Sequence, residues 1–234
     1  LGVAQMLKGN INPSGRLADT VAYSVNDHPS SECFGSHKYN GGGHYVEYLE
    51  GIYVGYRYFE TFAKDKVQYP FGYGLSYTSF EKEMTAHSVE NGVVSVSVEI
   101  TNTGDRSGKD TAQVYYSAPY YEGGIEKSAI CLGGYAKTKL LAPGESQTLT
   151  VTFDVDDMAS YDHKNAQAWV LEKGTYTIIL GENVREHIDS FEYELAEEKI
   201  INLEDYAVCE IMGAKINIKN RIKVLEQIAE LKNI

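Results

Sequence analysis

The residue types that could do chemistry in this chain are spread thinly. Six histidines (His28, His37, His44, His87, His163 and His187) never fall at metal-ligand spacing on one element. His37 and His44 flank the Gly41-Gly42-Gly43 run, but no cysteine or carboxylate completes a site there, so no metal site is expected. Cys33, Cys131 and Cys209 are odd in number and far apart, which is neither a disulfide framework nor a zinc signature. They read as structural thiols in a reducing compartment, and a cytoplasmic setting is expected. Glu47, Glu50 and Glu60 share a tyrosine-rich stretch and could line a cleft, although carboxylates there are more simply outward-facing polar groups. Neither a Gly-x-Ser-x-Gly elbow nor a phosphate loop nor a dinucleotide fingerprint is present, so no cofactor is expected.

Tyrosine is the suggestive count. The 234 residues hold 19 Tyr against one Trp, and ten of those Tyr fall within residues 1–79. Tyrosine rings stack on the apolar faces of sugars while their hydroxyls hydrogen-bond, but tyrosine also enriches interfaces that are buried on one side and wet on the other. The residue pattern alone favours an interdomain interface.

The elements that position these residues divide by charge. Residues 1–79 carry 6 basic and 7 acidic side chains, residues 80–198 carry 9 and 21, and residues 199–234 carry 6 and 5. The formal charge of -12 therefore belongs to the middle block and argues against a nucleic-acid partner, which would want clustered Lys and Arg. No apolar run approaches the roughly 18–20 residues of a membrane-spanning helix, so no membrane partner is expected.

Val3, Met6 and Leu7 share one face of a short opening helix, with Gly9 as its left-handed cap. This helix begins at Leu1 with no partner in its own sequence and no signal peptide before it, and the chain reads as starting inside something larger. Asn12-Pro-Ser-Gly15 is a turn, and residues 27–44 are a long polar loop. Residues 45–62, dominated by aromatic and β-branched side chains, predict one strand or two broken at Gly51. Residues 67–80 are an irregular aromatic buckle interrupted by Pro70, Gly72 and Gly74.

After Phe80 short alternating strands follow at 93–101, 111–117, 147–153, 168–171, 174–181 and 190–195, separated by Gly/Pro/Asp turns. Roughly seven strands at this regular spacing predict an antiparallel sandwich of about 110–120 residues. Trp169 is expected half-buried in one of these strands. In the tail, Ile218, Ile222, Leu225, Ile228 and Leu231 recur at three- and four-residue steps, an amphipathic helix by pattern.

Three motifs carry a family resemblance: Gly9-Asn-Ile-Asn-Pro-Ser-Gly-Arg-Leu17, Tyr48-Leu-Glu-Gly-Ile-Tyr-Val-Gly-Tyr-Arg-Tyr-Phe59 and Tyr69-Pro-Phe-Gly-Tyr-Gly-Leu-Ser-Tyr-Thr-Ser-Phe80. In this order they resemble the C-terminal part of glycoside hydrolase family 3 enzymes, of which β-glucosidases are the best known. Val98 to Lys109, Leu141 to Ser146 and Gly174 to Thr177 resemble the accompanying fibronectin type III-like domain. The resemblance covers residues 1–196.

It implies that residues 1–79 are the end of the family's α/β sandwich domain and residues 80–198 the fibronectin-like module, leaving 199–234 unassigned. The overall class is mainly β, an immunoglobulin- or fibronectin-like sandwich with a partial α/β domain before it and a helix after it. It also implies a retaining glycosidase built on two carboxyl groups: an Asp nucleophile on a (β/α)8 barrel and a Glu acid/base upstream of the Asn-Pro-Ser-Gly-Arg-Leu segment. Neither stretch is in this chain, so no catalytic residue is assigned. The expected partners are the carbohydrate substrate, through the parent enzyme, and the missing barrel and upstream α/β region.

Within the matched motifs, Arg16 is expected to anchor its loop on backbone or a carboxylate, and Arg57 to ion-pair with a carboxylate. The Pro70–Tyr77 buckle is expected to pack where the α/β domain meets the sandwich. A sugar contact from Tyr53 or from the 27–44 loop is the candidate binding contribution. The reading from another class is a stand-alone carbohydrate-binding or cell-surface module, against which the lack of an exposed Trp platform and of a secretion signal argues.

Overall fold

The computed structural model describes residues 2–32, 37–38, 43–46, 49–201, 208–211 and 214–217. The chain opens with α1 (Gly2–Leu7), closed by a cap in which Gly9 N–H donates to Met6 and Asn10 N–H to Gln5, with Gly9 at φ +74°. Short strands follow: β1 (Val21–Ala22), β2 (His37–Lys38) and β3 (His44–Tyr45), the last two paired antiparallel. Then come α2 (Tyr56–Phe62) and β4 (Val67–Tyr69), which pairs with β1.

The α2 helix corrects the strand expected over residues 45–62. Tyrosine and phenylalanine have strand propensity, but tertiary packing overrides it. The spacing of Phe59, Glu60 and Ala63 puts all three on one helical face, and all three are buried. Gly55 starts the helix at φ +59°, where a Cβ would stand 3.1 Å from Asp19 Oδ1.

The rest is a sandwich. Its strands are β5 (Phe80–Glu90), β6 (Val93–Asn102), β7 (Thr111–Ser117), β8 (Cys131–Lys137), β9 (Ser146–Asp154), β10 (Ser160–Asp162), β11 (Ala168–Leu171), β12 (Gly174–Gly181), β13 (His187–Leu195) and β14 (Lys199–Ile201). One sheet runs β5-β6-β9, the facing sheet β13-β12-β7-β8, and a small third sheet β10-β11-β14. A hairpin of β15 (Val208–Ile211) and β16 (Ala214–Asn217) follows. Sequence periodicity found six of the sandwich strands. It missed four: β5, where Lys82 interrupts the apolar face, β8, whose centre is Gly133-Gly134, and the three-residue strands β10 and β14, too short to show alternation. A Cβ on Gly133 would stand 2.7 Å from the Phe153 ring, so β8 is glycine-rich because β9 packs against it.

Val94, Val96, Val98 and Ile100 of β6 are fully buried against Ala112, Val114, Tyr176, Ile178 and Leu180 of the facing sheet. That facing sheet is covered on its other side as well. Tyr115, Ile179 and Val184 are buried there with Ile130, and Tyr56, Phe71 and Leu132 pack on them. Burial on both faces explains why β7 is buried at five consecutive positions instead of alternating. Residues before Phe80 thus cover the outer face of the sandwich.

The tail helix expected around Ile218 to Leu231 lies outside the described residues. Lys199–Ile201 joins the third sheet, with Ile201 in the core. Among the described residues no helix is long and apolar enough to cross a membrane.

Candidate functional site

The functional geometry of the chain is concentrated where residues before Phe80 meet the sandwich. Arg16 leaves the turn after Pro13 and runs past Gly74, where a Cβ would stand 2.5 Å from the Gly15 carbonyl and 2.7 Å from Arg16 Cδ. Its guanidinium donates to Asp110 and, at 3.1 Å, to Glu182 Oε1. Lys82 Nζ lies 3.0 Å from Asp110 Oδ2 and also donates to Glu182. Two cations and two carboxylates from four separate segments make a neutral cluster, with the side chains of Lys82 and Asp110 only 1% and 3% exposed. Burial works against the Arg16 charge, but pairing with Asp110 and Glu182 outweighs it and holds the guanidinium above its ordinary pKa.

Around this cluster the buckle is stitched down through its backbone. Leu17 N–H donates to Tyr73, Gly72 N–H to Leu17, and Val184 N–H to Phe71. Gln113 Nε2 donates to the carbonyls of Gly72 (3.2 Å) and Glu182 (2.9 Å), while the Tyr115 hydroxyl donates to Gln113 Oε1. Two expectations hold here: Arg16 anchors on carboxylates and backbone, and the buckle packs on the sandwich.

The α2 helix makes a second seam. Glu60, buried at 3% exposure, accepts from Arg185 Nε at 2.8 Å, and Arg185 Nη2 donates to the Lys64 carbonyl. Glu60 is therefore a buried ion-pair member, not the outward-facing group expected of a strand. The Tyr56 hydroxyl accepts from Leu132 N–H at 2.9 Å, and Thr61 Oγ1 accepts from Ala129 N–H at 3.0 Å.

Tyr53 sits just before this helix. Its ring meets Phe62 edge-on at 4.8 Å and its hydroxyl donates to the Lys127 carbonyl at 3.3 Å. Burial, then Glu126 and Tyr120 nearby, raise its phenol pKa. Arg57, expected to pair with a carboxylate, has none within ion-pair distance among the described residues. Its guanidinium lies by Cys131, Tyr56 and Tyr116, because the helix turns it toward β7 and β8.

The remaining candidates stay apart. His28 packs edge-on to Phe59 at 5.0 Å, His87 stacks on Phe191 at 4.0 Å, and His187 Nε2 meets the Val184 carbonyl. Cys131 is half-buried beside Ser128 Oγ at 2.9 Å. Glu47, Cys33 and most of the 33–42 loop fall outside the described residues. No group of three or more His, Cys, Asp or Glu side chains able to hold a metal ion occurs among the described residues. Asp110 and Glu182 are neighbouring carboxylates, and Arg16 and Lys82 engage both. The arrangement holds the surfaces together.

Sequence reasoning passed over Lys82, Asp110, Glu182 and Arg185. One signal was available: Lys82 shares its alternation face with Phe80 and Met84, a cation on the apolar side of a strand. Trp169 is close to the half-burial expected of it. It keeps 42% of its surface exposed, as does its cross-strand partner Tyr161, while Val170 and Leu171 of the same strand are buried.

A fibronectin type III-like domain is matched over residues 110–184, which covers β7 to β12. β-Glucosidase A of Butyrivibrio fibrisolvens is 47% identical over 223 residues, spanning 86% of this chain and 26% of that protein. The crystal structure of a β-glucosidase from Paenibacillus barengoltzii superposes with TM-score 0.77 at 44% identity, over 86% of this chain and 22% of that chain. A GH3 β-glucosidase from Bifidobacterium adolescentis superposes with TM-score 0.71 at 32% identity, over 82% and 27%. The chain thus matches a segment of glycoside hydrolase family 3 β-glucosidases. It spans about a quarter of the length of these family 3 relatives and matches them as a partial segment. This likeness agrees with the resemblance read from the three N-terminal motifs and with the mainly β, fibronectin-like fold.

Proposed function

We propose that this chain is the bracing segment of a β-glucosidase-like enzyme that hydrolyses O-glycosidic bonds, and that it is inactive alone. The observation that carries this reading is the doubly covered β13-β12-β7-β8 sheet, fastened to residues before Phe80 by the Arg16–Asp110–Lys82–Glu182 cluster. In this reading residues 1–79 are the last part of the α/β sandwich domain, 80–198 the fibronectin-like module, and 199–234 a connector. The retaining pair, an Asp nucleophile and a Glu acid/base held roughly 5–5.5 Å apart, belongs to the barrel and upstream region. Val3, Leu7, Ile11 and Leu75, all at least half exposed, supply apolar surface for that region to cover. Tyr53 serves packing first, given its ring contact with Phe62 and its hydrogen bond to the Lys127 carbonyl, with sugar contact the secondary role. Three widely spaced cysteines favour a cytoplasmic setting.

Complementation tests the reading. The B. fibrisolvens enzyme, deleted for the region equivalent to this chain, should be inactive or insoluble and should recover β-glucosidase activity when this chain is co-expressed. Equal activity of the deleted enzyme with and without the chain would contradict it.

A further inference from the structure

Behind Tyr53 and α2, a cleft of about 210 Å³ opens between β7, the start of β8 and the β10–β11 hairpin. Its aromatic wall is Trp169 and Tyr161, cross-strand partners whose rings meet at 67° with centroids 5.7 Å apart. Its polar rim is Arg57, Glu126, Asp157 and Ser128. We infer that this cleft binds one ring of a neutral saccharide. The inference goes beyond the bracing role and stands without it.

A pyranose is a plate with apolar C–H faces and a rim of hydroxyls. It is matched by aromatic faces set at an angle, with carboxylates, a guanidinium and a hydroxyl along the edge. Both large rings are left 42% exposed. Their support is rigid. The Asp162 carboxylate accepts from the backbone N–H groups of Lys164, Asn165 and Ala166, fixing the turn after Tyr161. The Tyr161 hydroxyl donates to the Gln167 carbonyl at 3.2 Å, and Gln167 holds φ +49°. A platform ordered before binding loses little entropy on binding. The two rim carboxylates and the acidity of the sandwich disfavour phosphorylated or carboxylated ligands of similar size.

Trp169 is the single tryptophan of the chain, so its emission reports on this cleft alone. The experiment titrates the 234-residue chain with cellobiose in the millimolar range, with sorbitol as an open-chain control. The expected result is a saturable emission change with cellobiose and none with sorbitol. Tyr161→Ala should weaken binding about tenfold, the scale of one lost aromatic contact. Asp157→Asn, at an exposed position, should also weaken it while leaving the melting temperature unchanged. No saturable change, a change that both variants leave intact, or Trp169 emission already shielded from acrylamide in the free chain would each overturn the proposal. Because binding is read without turnover, its failure is separable from failure of the bracing role.

Discussion

Asp110 accepts a bond from Arg16 and lies 3.0 Å from Lys82, with its side chain 3% exposed. Removing it leaves two cations facing Glu182 alone, one of them fully buried. Asp110→Ala should therefore lower unfolding free energy by about 3–5 kcal/mol in urea titrations. Lys139→Ala, which breaks the exposed pair with Glu145, should leave the midpoint unchanged. Tyrosines offer a second test at this scale. Tyr115 and Tyr176 are fully buried, and burial, above all, raises their phenol pKa values. A folded-state pKa above the unfolded one contributes stability that is present below the unfolded value and lost as pH rises past it. Stability should thus fall above about pH 10. Phenolate absorbance should show these two ionising only with cooperative unfolding, whereas free ionisation in the folded state would contradict their burial. The chemistry of single residues was poorly legible in the sequence. Lys82, Asp110 and Glu182 are common surface types, and only the folded chain brings positions a hundred residues apart together.

Elements were legible where one face is buried and the other wet. β6 alternates strictly, and its sequence reads as the strand it is. β7 and β12 were also found, although they are buried on both sides and their apolar runs do not alternate. α2 was misread because aromatic residues favour strands in isolation, while the seam requires Phe59 and Glu60 to point the same way. β8 was missed because glycines carry no periodicity. The buckle was recognised as irregular, and its glycines are the reason it can lie flat on β7. Gly72 holds φ +81°, and a Cβ there would stand 2.7 Å from the Tyr115 hydroxyl and closer still to the Gln113 amide oxygen. Gly72→Ala should destabilise the chain by more than about 1 kcal/mol, from backbone strain and from displacement of Gln113. Thermal melting would check this, and an unchanged melting temperature would mean that the seam tolerates movement of the buckle.

At the scale of the whole molecule, the family resemblance was legible because its motifs lie in the turn, the approach to α2 and the buckle, the segments that meet the sandwich. What remained hidden was how those motifs act, since Arg16 reaches Asp110 and Glu182 only across the seam. The chain spans about a quarter of its relatives' length, and among the described residues the neighbouring carboxylates Asp110 and Glu182 are paired with Arg16 and Lys82. The most direct measurement is hydrolysis of an aryl β-glucoside by the purified 234-residue chain. The account predicts no release of the aryl alcohol above the uncatalysed rate. Turnover proportional to chain concentration, and abolished by Glu60→Gln or Asp110→Asn without loss of folding, would contradict it.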